Sequence, residues 1–472
     1  MPLQTLQTLL YRIYTILAIW HPTHQATRHQ TLQTKTTLAI TALETENWPA
    51  LQQLFLPILR LLLTETLLRK SWSLVRTIYG PLESIGPATY ANYYLIQTAT
   101  APLHFKHTTV SLVLQWIPTG HLIGLRAILS AQTWTPPAYS NPQAFTAVNL
   151  TLGRGFANKV SGILTLPNPN PDPNPNLTPT YPPKAKPRAP TPCIILLPGS
   201  GPTDRDSTIS ALKPFKDIAH GIATAGVAVV RFDKITYAHR LWLGVLRRGR
   251  TMTMTDEYVH HVLDAVRQVR GRGDIGEVFL LGHSLGAWPA GKIAASEAVG
   301  FAGCVLMGCP AEMVYWCAVR QMRYLAGVNG EDQVRVEEEV RALERKARRA
   351  DALVVGEEVS AGELPFGVGA RYWLESREFH PLGYARELAG KPVLVLQGGR
   401  DYQVTVEDDY RRLREGLGGY ASVEFRVYEE LNHLFVAGEG LSTPAEYGKG
   451  GNVDGRVVED IVAWVRRQTV GG

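Results

Sequence analysis

The chain lacks the features that mark several large classes of protein. Its 472 residues include only four cysteines, and their spacing matches neither a zinc site nor a disulfide framework, which indicates a reducing compartment. No apolar run approaches the ~18 residues of a membrane-spanning helix. The net charge is +6, but lysine and arginine are scattered, without the dense basic stretch typical of nucleic-acid binding. We expect a globular protein without metal, cofactor, spanning segment or nucleic-acid partner.

Acidic residues are also absent from the first 43 positions. Apolar residues from Leu3 to Trp20 recur three and four positions apart, which predicts an amphipathic helix. With its few arginines, this segment resembles a mitochondrial presequence, although serine is absent. We assign residues 1–45 to an N-terminal extension. We expect a cytoplasmic protein, with a mitochondrial location as the alternative if residues 1–43 act as a presequence.

Residues 46–135 predict a small α+β domain. Apolar positions recur at helical spacing from Trp48 to Ile78, and Pro57 marks a kink or a new helix start. Short alternating segments follow, with a strand at 109–114 and a hairpin turn directly after it. No cluster of catalytic residue types occurs here, so we expect this domain to pack against, or partly shield, the domain after it.

From residue 136 to residue 472 the pattern changes to strands that alternate with helices. A hairpin opens this part. Short apolar runs then predict a buried strand at 193–197 and further parallel strands at 227–232, 278–281, 302–307, 393–397 and 422–427. This alternation is typical of an α/β sheet with helices on both faces, so we assign 136–472 to one α/β domain.

Two insertions interrupt this α/β domain. Prolines at nearly every second position within 167–192 hold an extended form, so we expect a solvated loop there. Between 310 and 388 a charged helical stretch replaces the strand–helix alternation. It follows a predicted strand, and ligands bind at the carboxyl ends of such strands. We expect a helical cap there, with Tyr324, Tyr372 and Trp373 as candidate residues lining a substrate pocket.

The strand at 278–281 runs directly into Gly-His-Ser-Leu-Gly at 282–286, and a helical stretch follows. A Gly-x-Ser-x-Gly pattern between a strand and a helix is typical of a nucleophile elbow. The turn is so tight that a Cβ at Gly282 or Gly286 would clash with neighbouring backbone. Because the bare pattern also occurs by chance, the strand before it and the helix after it carry the prediction. We expect Ser284 to be a nucleophile.

A nucleophilic serine needs a histidine base and a carboxylate that fixes the tautomer of that base. On a strand–elbow–helix scaffold both partners follow the serine, at later strand ends. Only two histidines follow the elbow, and we prefer His433, on a short loop after the last predicted strand, to His380 within the cap. Asp401 is the first acid after its strand and is the expected carboxylate. Asp408 and Asp409 fall on the next helix, where we expect them to be solvated.

Backbone N–H groups must also hold the negative charge that develops on the substrate oxygen. The N–H of Leu285, at the start of the helix after the serine, is one expected donor. The strand at 193–197 ends in Pro-Gly-Ser-Gly, whose glycines allow N–H groups to turn inward. We assign the N–H of Ser200 as the second donor, with Gly201 as the alternative.

Six short stretches carry motifs that occur together: 199–206, 230–234, 282–286, 372–373, 397–404 and 432–433. They resemble α/β-hydrolase esterases of the dienelactone-hydrolase-like, serine-aminopeptidase-like branch, several of which carry a small α+β domain ahead of the hydrolase. The resemblance covers roughly residues 145–470. It implies the α/β-hydrolase fold and the same triad and oxyanion donors. The chain departs from the family pattern at Pro198, where histidine is usual, and at Ile235-Thr236, where Arg-Gly is usual.

We therefore expect a serine hydrolase that cleaves carboxylic esters of small molecules through a Ser-His-Asp triad and an acyl-enzyme. A serine peptidase or amidase, or an acyltransferase, is the alternative, because the same triad serves each reaction. A non-catalytic binding protein is a third possibility, against which the complete triad argues. The sequence leaves the physiological substrate, the acyl length and the oligomeric state open.

Overall fold

The computed structural model describes residues 22–61, 63–93, 96–106, 108–129, 133–168, 189–239, 251–329 and 333–470. The predicted apolar stripe from Leu3 to Trp20 and most of the proline-rich loop lie outside the described residues. The chain divides into two compact units, residues 1–131 with 329–331, and residues 132–328 with 332–472. Among the described helices, none is long and apolar enough to cross a membrane.

The first unit begins with helices α1 (Pro22–Glu44), α2 (Trp48–Leu54), α3 (Pro57–Arg60) and α4 (Glu65–Tyr79). Pro57 starts α3, as predicted, because its fixed φ suits a first helical position. The Thr64 side chain accepts a hydrogen bond from the Leu67 N–H and so caps the start of α4. Gly80, at φ 89°, ends α4.

An antiparallel sheet completes the first unit, with strands β1 (Leu82–Ile85), β2 (Thr89–Tyr93), β3 (Ile96–Phe105), β4 (Thr108–Trp116) and β5 (Leu122–Leu129). The strand order is β1-β3-β4-β5, and β2 also pairs with β3. The predicted turn joins β4 to β5, with Gly120 at φ 75°. In β3 and β4 buried positions alternate with partly exposed ones, so one face of the sheet forms the core of this unit.

The second unit contains an eight-stranded sheet of β6 (Phe145–Leu152), β7 (Val160–Pro167), β8 (Thr191–Leu197), β9 (Ala228–Phe232), β10 (Ile275–His283), β11 (Gly303–Met307), β12 (Val393–Gly398) and β13 (Val423–Tyr428). The order is β13-β12-β11-β10-β8-β9-β7-β6. Strands β8 to β13 are parallel, and the predicted hairpin β6–β7 adds an antiparallel edge. Every parallel strand predicted from the sequence is present, although β13, at the edge of the sheet, is only partly buried.

The helices of this unit are α5 (Pro214–Thr224), α6 (Ile235–Ala238), α7 (His260–Arg270), α8 (Ala287–Ala295), α9 (Val314–Asn329), α10 (Gln333–Asp351), α11 (Ala370–Glu378), α12 (Ala385–Ala389), α13 (Arg411–Leu417) and α14 (Gly455–Val470). Successive residues of β8 face opposite sides, because side chains alternate along a strand. Ile194 packs in a core with α5 and α14, and Ile195 in a core with α7, α8 and α13.

All four cysteines are buried and free. Cys193 lies on β8 and Cys304 on β11, the two strands that flank β10. Burial raises the pKa of each of these two thiols to about 12.

A crevice is expected at one point of the carboxyl edge of the sheet. Strand β8 lies between β9 and β10, so the chain leaves β8 towards one side and later returns to the other side at β10. Loops that diverge in this way leave a gap in which ligands bind. The loop after β8 and the turn after β10 border this gap.

Candidate active site

Ser284 occupies a tight turn between β10 and α8. Its φ is 55°, in the left-handed region that non-glycine residues adopt at a cost. A Cβ at Gly282 would lie 2.1 Å from the Gly286 carbonyl oxygen, and one at Gly286 would lie 2.3 Å from that of Leu197. Both glycines are therefore required by the backbone. The turn presents a partly exposed serine at the end of a buried strand.

Asp401 and His433 meet at the same edge of the sheet. Asp401 follows β12 and His433 follows β13, and the two are joined by a 2.6 Å hydrogen bond from Nδ1 to Oδ2. Both side chains are buried. Because the carboxylate can only accept, Nδ1 carries the proton and Nε2 of the neutral ring is left as the acceptor. This is the tautomer that a general base for serine requires.

Several groups fix the orientation of the Asp401 carboxylate. Its Oδ1 accepts from the N–H groups of Gln403, at 2.8 Å, and Val404, at 2.9 Å. The Gln397 side chain donates to Oδ2 at 3.3 Å. Together with His433 these donors engage both oxygens, so the carboxylate has one orientation towards the imidazole.

His283, the residue before the serine, holds the His433 loop in place. Its Nε2 lies 2.8 Å from the His433 carbonyl oxygen, and the two imidazole rings pack with centroids 4.7 Å apart. A carbonyl only accepts, so Nε2 of His283 carries a proton. Burial, with a smaller contribution from His433, lowers the pKa of His283 to about 3. The sequence motif marks this residue only as the variable position of the elbow and does not predict the contact.

Two further glycines bring the parts of the site together. A Cβ at Gly308, which follows β11 at φ 56°, would lie 3.5 Å from the His433 ring and 3.6 Å from Asp401. A Cβ at Gly199 would lie 3.0 Å from the Ser284 Cβ and 3.5 Å from its Oγ. The loop after β8 therefore reaches the serine itself. The side-chain hydrogen bond described for His433 goes to Asp401 and not to Ser284, and such contacts often tighten only when substrate binds.

The two expected oxyanion donors belong to the elbow and to the loop after β8, which approach each other closely. Leu285 stands in the first helical turn after β10, where N–H groups have no partner within the helix. Ser200 follows Gly199 on the loop beside Ser284. A Cβ at Gly286 would also lie 2.5 Å from the Pro198 carbonyl oxygen, which shows how closely the loop approaches the elbow. Their roles as oxyanion donors remain predictions.

A buried lysine contacts the backbone of the loop after β8. Lys234 is fully buried, and its Nζ donates to the Gly199 carbonyl at 2.8 Å and to the Tyr258 hydroxyl oxygen at 2.8 Å. It also pairs with Glu257 Oε1 at 2.9 Å. The Tyr258 hydroxyl donates to the Pro198 carbonyl at 3.0 Å and the Gly199 carbonyl at 3.1 Å. Burial lowers the pKa of Lys234, and the Glu257 carboxylate opposes this shift.

Residues from two other elements complete this cluster. Tyr372, on α11, donates to Glu257 Oε2 at 2.7 Å, and Thr236 donates to Oε1 at 3.2 Å. Glu257 and Tyr258 are neighbours in a turn of π-helix at Thr255–Val259, and both are buried. The sequence singled out Lys234 only as part of a motif, and it held no signal for Glu257 or Tyr258. A single turn of π-helix has no pattern in the sequence that would reveal it.

The three candidate pocket residues lie in different surroundings. Tyr372 is buried in the cluster beside the loop after β8 (residues 198–205), which we call the oxyanion loop after the role expected of Ser200. Trp373 is buried against Tyr315, with ring centroids 5.2 Å apart. Tyr324 stacks on Tyr402 at 5.1 Å, and its hydroxyl donates to the Ser442 carbonyl at 2.9 Å. The contribution of each to a substrate pocket remains a prediction.

The expectation that Asp409 is solvated is wrong. This side chain is fully buried and accepts from the N–H groups of Ala311 and Thr405, each at 2.9 Å. Arg320 binds Asp409 at 2.7 Å, Asp408 at 2.6 Å and Glu312 at 2.9 Å. Glu312 and Asp409, with nearby Cys317, are residue types that could hold a metal ion. The guanidinium already supplies the positive charge for these carboxylates.

The strand order and the position of the elbow at the end of β10 are those of the α/β-hydrolase fold. No family model matches the sequence. Esterase EstD of Thermotoga maritima is 32% identical over 364 residues, which make up 77% of this chain and 78% of EstD. The chain belongs to the family of esterase EstD.

Solved structures with a similar course of the chain include puromycin hydrolase and Est1E from Butyrivibrio proteoclasticus. Puromycin hydrolase has a TM-score of 0.41 and 16% identity. The matched region covers 83% of this chain but 48% of puromycin hydrolase. The chain thus spans about half the length of puromycin hydrolase. Est1E has a TM-score of 0.41 and 13% identity. The matched region covers 68% of this chain and 99% of Est1E. Likenesses at this level do not indicate a substrate.

Proposed function

We propose that this protein is a serine hydrolase that cleaves carboxylic esters, with Ser284, His433 and Asp401 as its triad. The observation that carries the proposal is the buried hydrogen bond between His433 and Asp401 at the edge of the sheet where the Ser284 elbow stands. Membership in the family of a protein named an esterase supports the choice of an ester as substrate.

The geometry supports a reaction in two stages. His433 Nε2 accepts the Ser284 proton as Oγ attacks the ester carbonyl, and Asp401 stabilises the imidazolium that forms. The N–H groups of Ser200 and Leu285 hold the oxyanion. The protonated imidazole then gives its proton to the leaving alcohol, and an acyl-enzyme remains. Water activated by His433 releases the acid and restores the serine.

The remaining assignments concern the surroundings of the triad. Helices α9, α10 and α11 lie in the long connection between β11 and β12, and we assign the segment 310–388 to a cap over the substrate. Tyr324, Tyr372 and Trp373 are its candidate contributions to the pocket. The substrate is a small-molecule ester, and the absence of a disulfide framework in the sequence favours a cytoplasmic location.

A fluorophosphonate probe tests the proposal most directly. We expect the wild-type protein to be labelled and to hydrolyse p-nitrophenyl esters, and we expect both activities to disappear in Ser284→Ala. The matched control is Ser442→Ala, since Ser442 is a buried serine outside the triad. A folded wild-type protein that is neither labelled nor active would rule the mechanism out.

A series of substrates separates esters from the alternatives. Esters of increasing acyl length measure the size of the pocket, and p-nitroanilides of the same acyl groups measure amidase activity. Hydrolysis of the esters at least about 100-fold faster than that of the amides supports the proposal. Comparable rates on both would favour a peptidase or amidase.

A further inference from the structure

The carbonyl oxygen of Gly199 accepts hydrogen bonds from two buried side chains, those of Lys234 and Tyr258. We propose that Lys234 and Tyr258, supported by Glu257 and Tyr372, are positioning residues that set the plane of the peptide between Gly199 and Ser200, so that its N–H faces the substrate oxygen. The inference rests on the proposed function and adds the groups that position its oxyanion donor.

The geometry of one peptide bond leads to this proposal. No cis peptide bond occurs among the described residues, and in a planar trans peptide the C=O and N–H point in opposite directions. Lys234 and Tyr258 both bind the Gly199 oxygen. The N–H of Ser200 must therefore point away from them. The same peptide lies beside the nucleophile, because a Cβ at Gly199 would stand 3.0 Å from the Ser284 Cβ.

The lysine is held in a single orientation. The ammonium group of Lys234 has three protons, and it has three acceptors, on Gly199, Tyr258 and Glu257. Because each proton has its own acceptor, the three contacts together fix the position of Nζ. Glu257 balances the positive charge, which offsets part of the cost of burying it.

The charge of the lysine also strengthens the donor. A cation on the carbonyl oxygen of a peptide draws electron density towards that oxygen and makes the N–H on the other side a better donor. The effect is largest in a buried site, where water does not screen the charge. Lys234 is fully buried, so its charge acts on the Gly199–Ser200 peptide in this way.

The far end of the same loop is fastened by neighbouring residues. The carboxylate of Asp233 accepts from the Arg205 N–H at 2.9 Å and forms a two-pronged pair with its guanidinium, both contacts at 3.0 Å. The N–H of Lys234 donates to the Thr203 carbonyl at 3.1 Å. Two adjacent residues after β9 therefore hold the loop at its start and at its end.

Helix α11 joins this arrangement to the segment assigned to the cap. Tyr372 binds Glu257, and Glu375 accepts from the Thr255 N–H at 3.1 Å and from its hydroxyl at 2.7 Å. Both contacts go to the turn of π-helix that carries Tyr258. The position of α11 is thus coupled to the position of the oxyanion loop through Glu257.

The test compares Tyr258→Phe with Tyr384→Phe. Each change removes one hydroxyl from a buried tyrosine that donates to a backbone carbonyl, on Pro198 and Gly199 in the first case and on Trp288 in the second. Only the first carbonyls belong to the oxyanion loop. Loss of an oxyanion donor costs about 100- to 1,000-fold in kcat, so its displacement should cost about 10-fold. We expect this loss for Tyr258→Phe and less than about a 2-fold change for Tyr384→Phe.

Two readouts separate positioning from general damage to the fold. We expect KM for a p-nitrophenyl ester to change less than about 2-fold, because the donor acts in the transition state. We also expect the affinity for a boronic acid, which forms a tetrahedral adduct on the serine, to fall by the same factor as kcat. Equal effects of the two variants on kcat would overturn the proposal, as would a loss that appears in KM alone.

Tyr372→Phe provides a second route to the same answer. This change removes the contact with Glu257 and leaves the oxyanion loop itself unchanged, so we expect a smaller loss of kcat in the same direction. If Tyr258→Phe does not fold, an unchanged kcat in Tyr372→Phe would contradict the inference. Wild-type protein is measured in parallel. An inactive wild type refutes the proposed function, whereas an active wild type with unaffected variants refutes only this inference.

Discussion

At the scale of single residues, His283 shows how one side chain can hold two loops of the candidate site together. Ser284 and His433 are separated by 149 positions in the sequence, yet His283 joins the elbow to the His433 loop through one hydrogen bond. The bond requires a donor at the position of Nε2. A glutamine can supply an N–H at nearly that place, and a leucine cannot.

We therefore predict different outcomes for two substitutions of His283. His283→Leu should lower kcat about 10-fold, because loss of a buried hydrogen bond of about 1–2 kcal/mol lets the His433 loop move. His283→Gln should retain most of the activity. Steady-state kinetics on a p-nitrophenyl ester distinguish the two, and equal losses in both variants would contradict a role for the donated hydrogen bond.

The low pKa of His283 predicts a dependence of stability on pH. A histidine with a pKa of about 3 in the folded protein and an ordinary value of about 6.5 when unfolded takes up its proton more readily in the unfolded chain. Its contribution to stability is therefore complete above pH 6.5 and is lost as the pH falls towards 3. We expect the free energy of unfolding of His283→Gln to fall less steeply than that of wild type over this window. Urea titrations at several pH values measure the two slopes, and identical slopes would contradict the shift.

At the scale of elements, the turn from β10 to α8 depends on backbone contact that only glycine allows. Gly286 lies against the carbonyls of Leu197 and Pro198, so the elbow and the oxyanion loop share one contact surface. A side chain at this position would separate the two loops that form the site. The neighbouring atoms are backbone, which cannot rotate away as a side chain can.

We predict that Gly286→Ala destabilises the protein by at least about 3 kcal/mol and abolishes hydrolysis. The matched control is Gly327→Ala in α9, where an added Cβ would meet no atom within 4 Å. This control should be neutral or stabilising by up to about 1 kcal/mol, because alanine favours a helix more than glycine does. Thermal unfolding and ester hydrolysis measure both effects. Wild-type activity in Gly286→Ala would show that the turn has room to relax.

The parallel strands could be predicted from the sequence, but irregular features such as the π-helical turn could not. Runs of Val, Ile and Leu predicted the parallel strands, and strand ends then located Asp401 and His433. The solvated position expected for Asp409 was wrong because Arg320, on the distant helix α9, covers it. Glu257 and Tyr258 could not be predicted, because their partners come from three other elements and a π-helical turn brings the two side chains inward.

At the scale of the whole molecule, the proposed site lies within one unit. The three proposed triad residues, the two expected oxyanion donors and the cluster around Lys234 all belong to the unit that begins at residue 132. The unit has its own sheet and two hydrophobic cores. The residues to which we assign the chemistry therefore all lie in this unit.

We predict that a chain shortened to residues 132–472 is labelled at Ser284 by a fluorophosphonate and hydrolyses short-chain esters with a kcat within about 10-fold of the full-length value. Circular dichroism shows whether the shortened chain is folded. Folded but unlabelled protein would show that the first unit contributes to the site, and Ser284→Ala in the same shortened chain controls for labelling elsewhere.

The cysteines on the two strands that flank β10 can report whether the sheet is open or closed. A buried thiol with a pKa of about 12 reacts with alkylating reagents only after the strands around it separate. Cys193 and Cys304 lie on the two neighbours of β10, so their alkylation reports the opening of the sheet beside Ser284. Hydrolysis should therefore persist in the presence of reagents for thiols, and trapping of these two residues would measure how long the site survives at a given temperature.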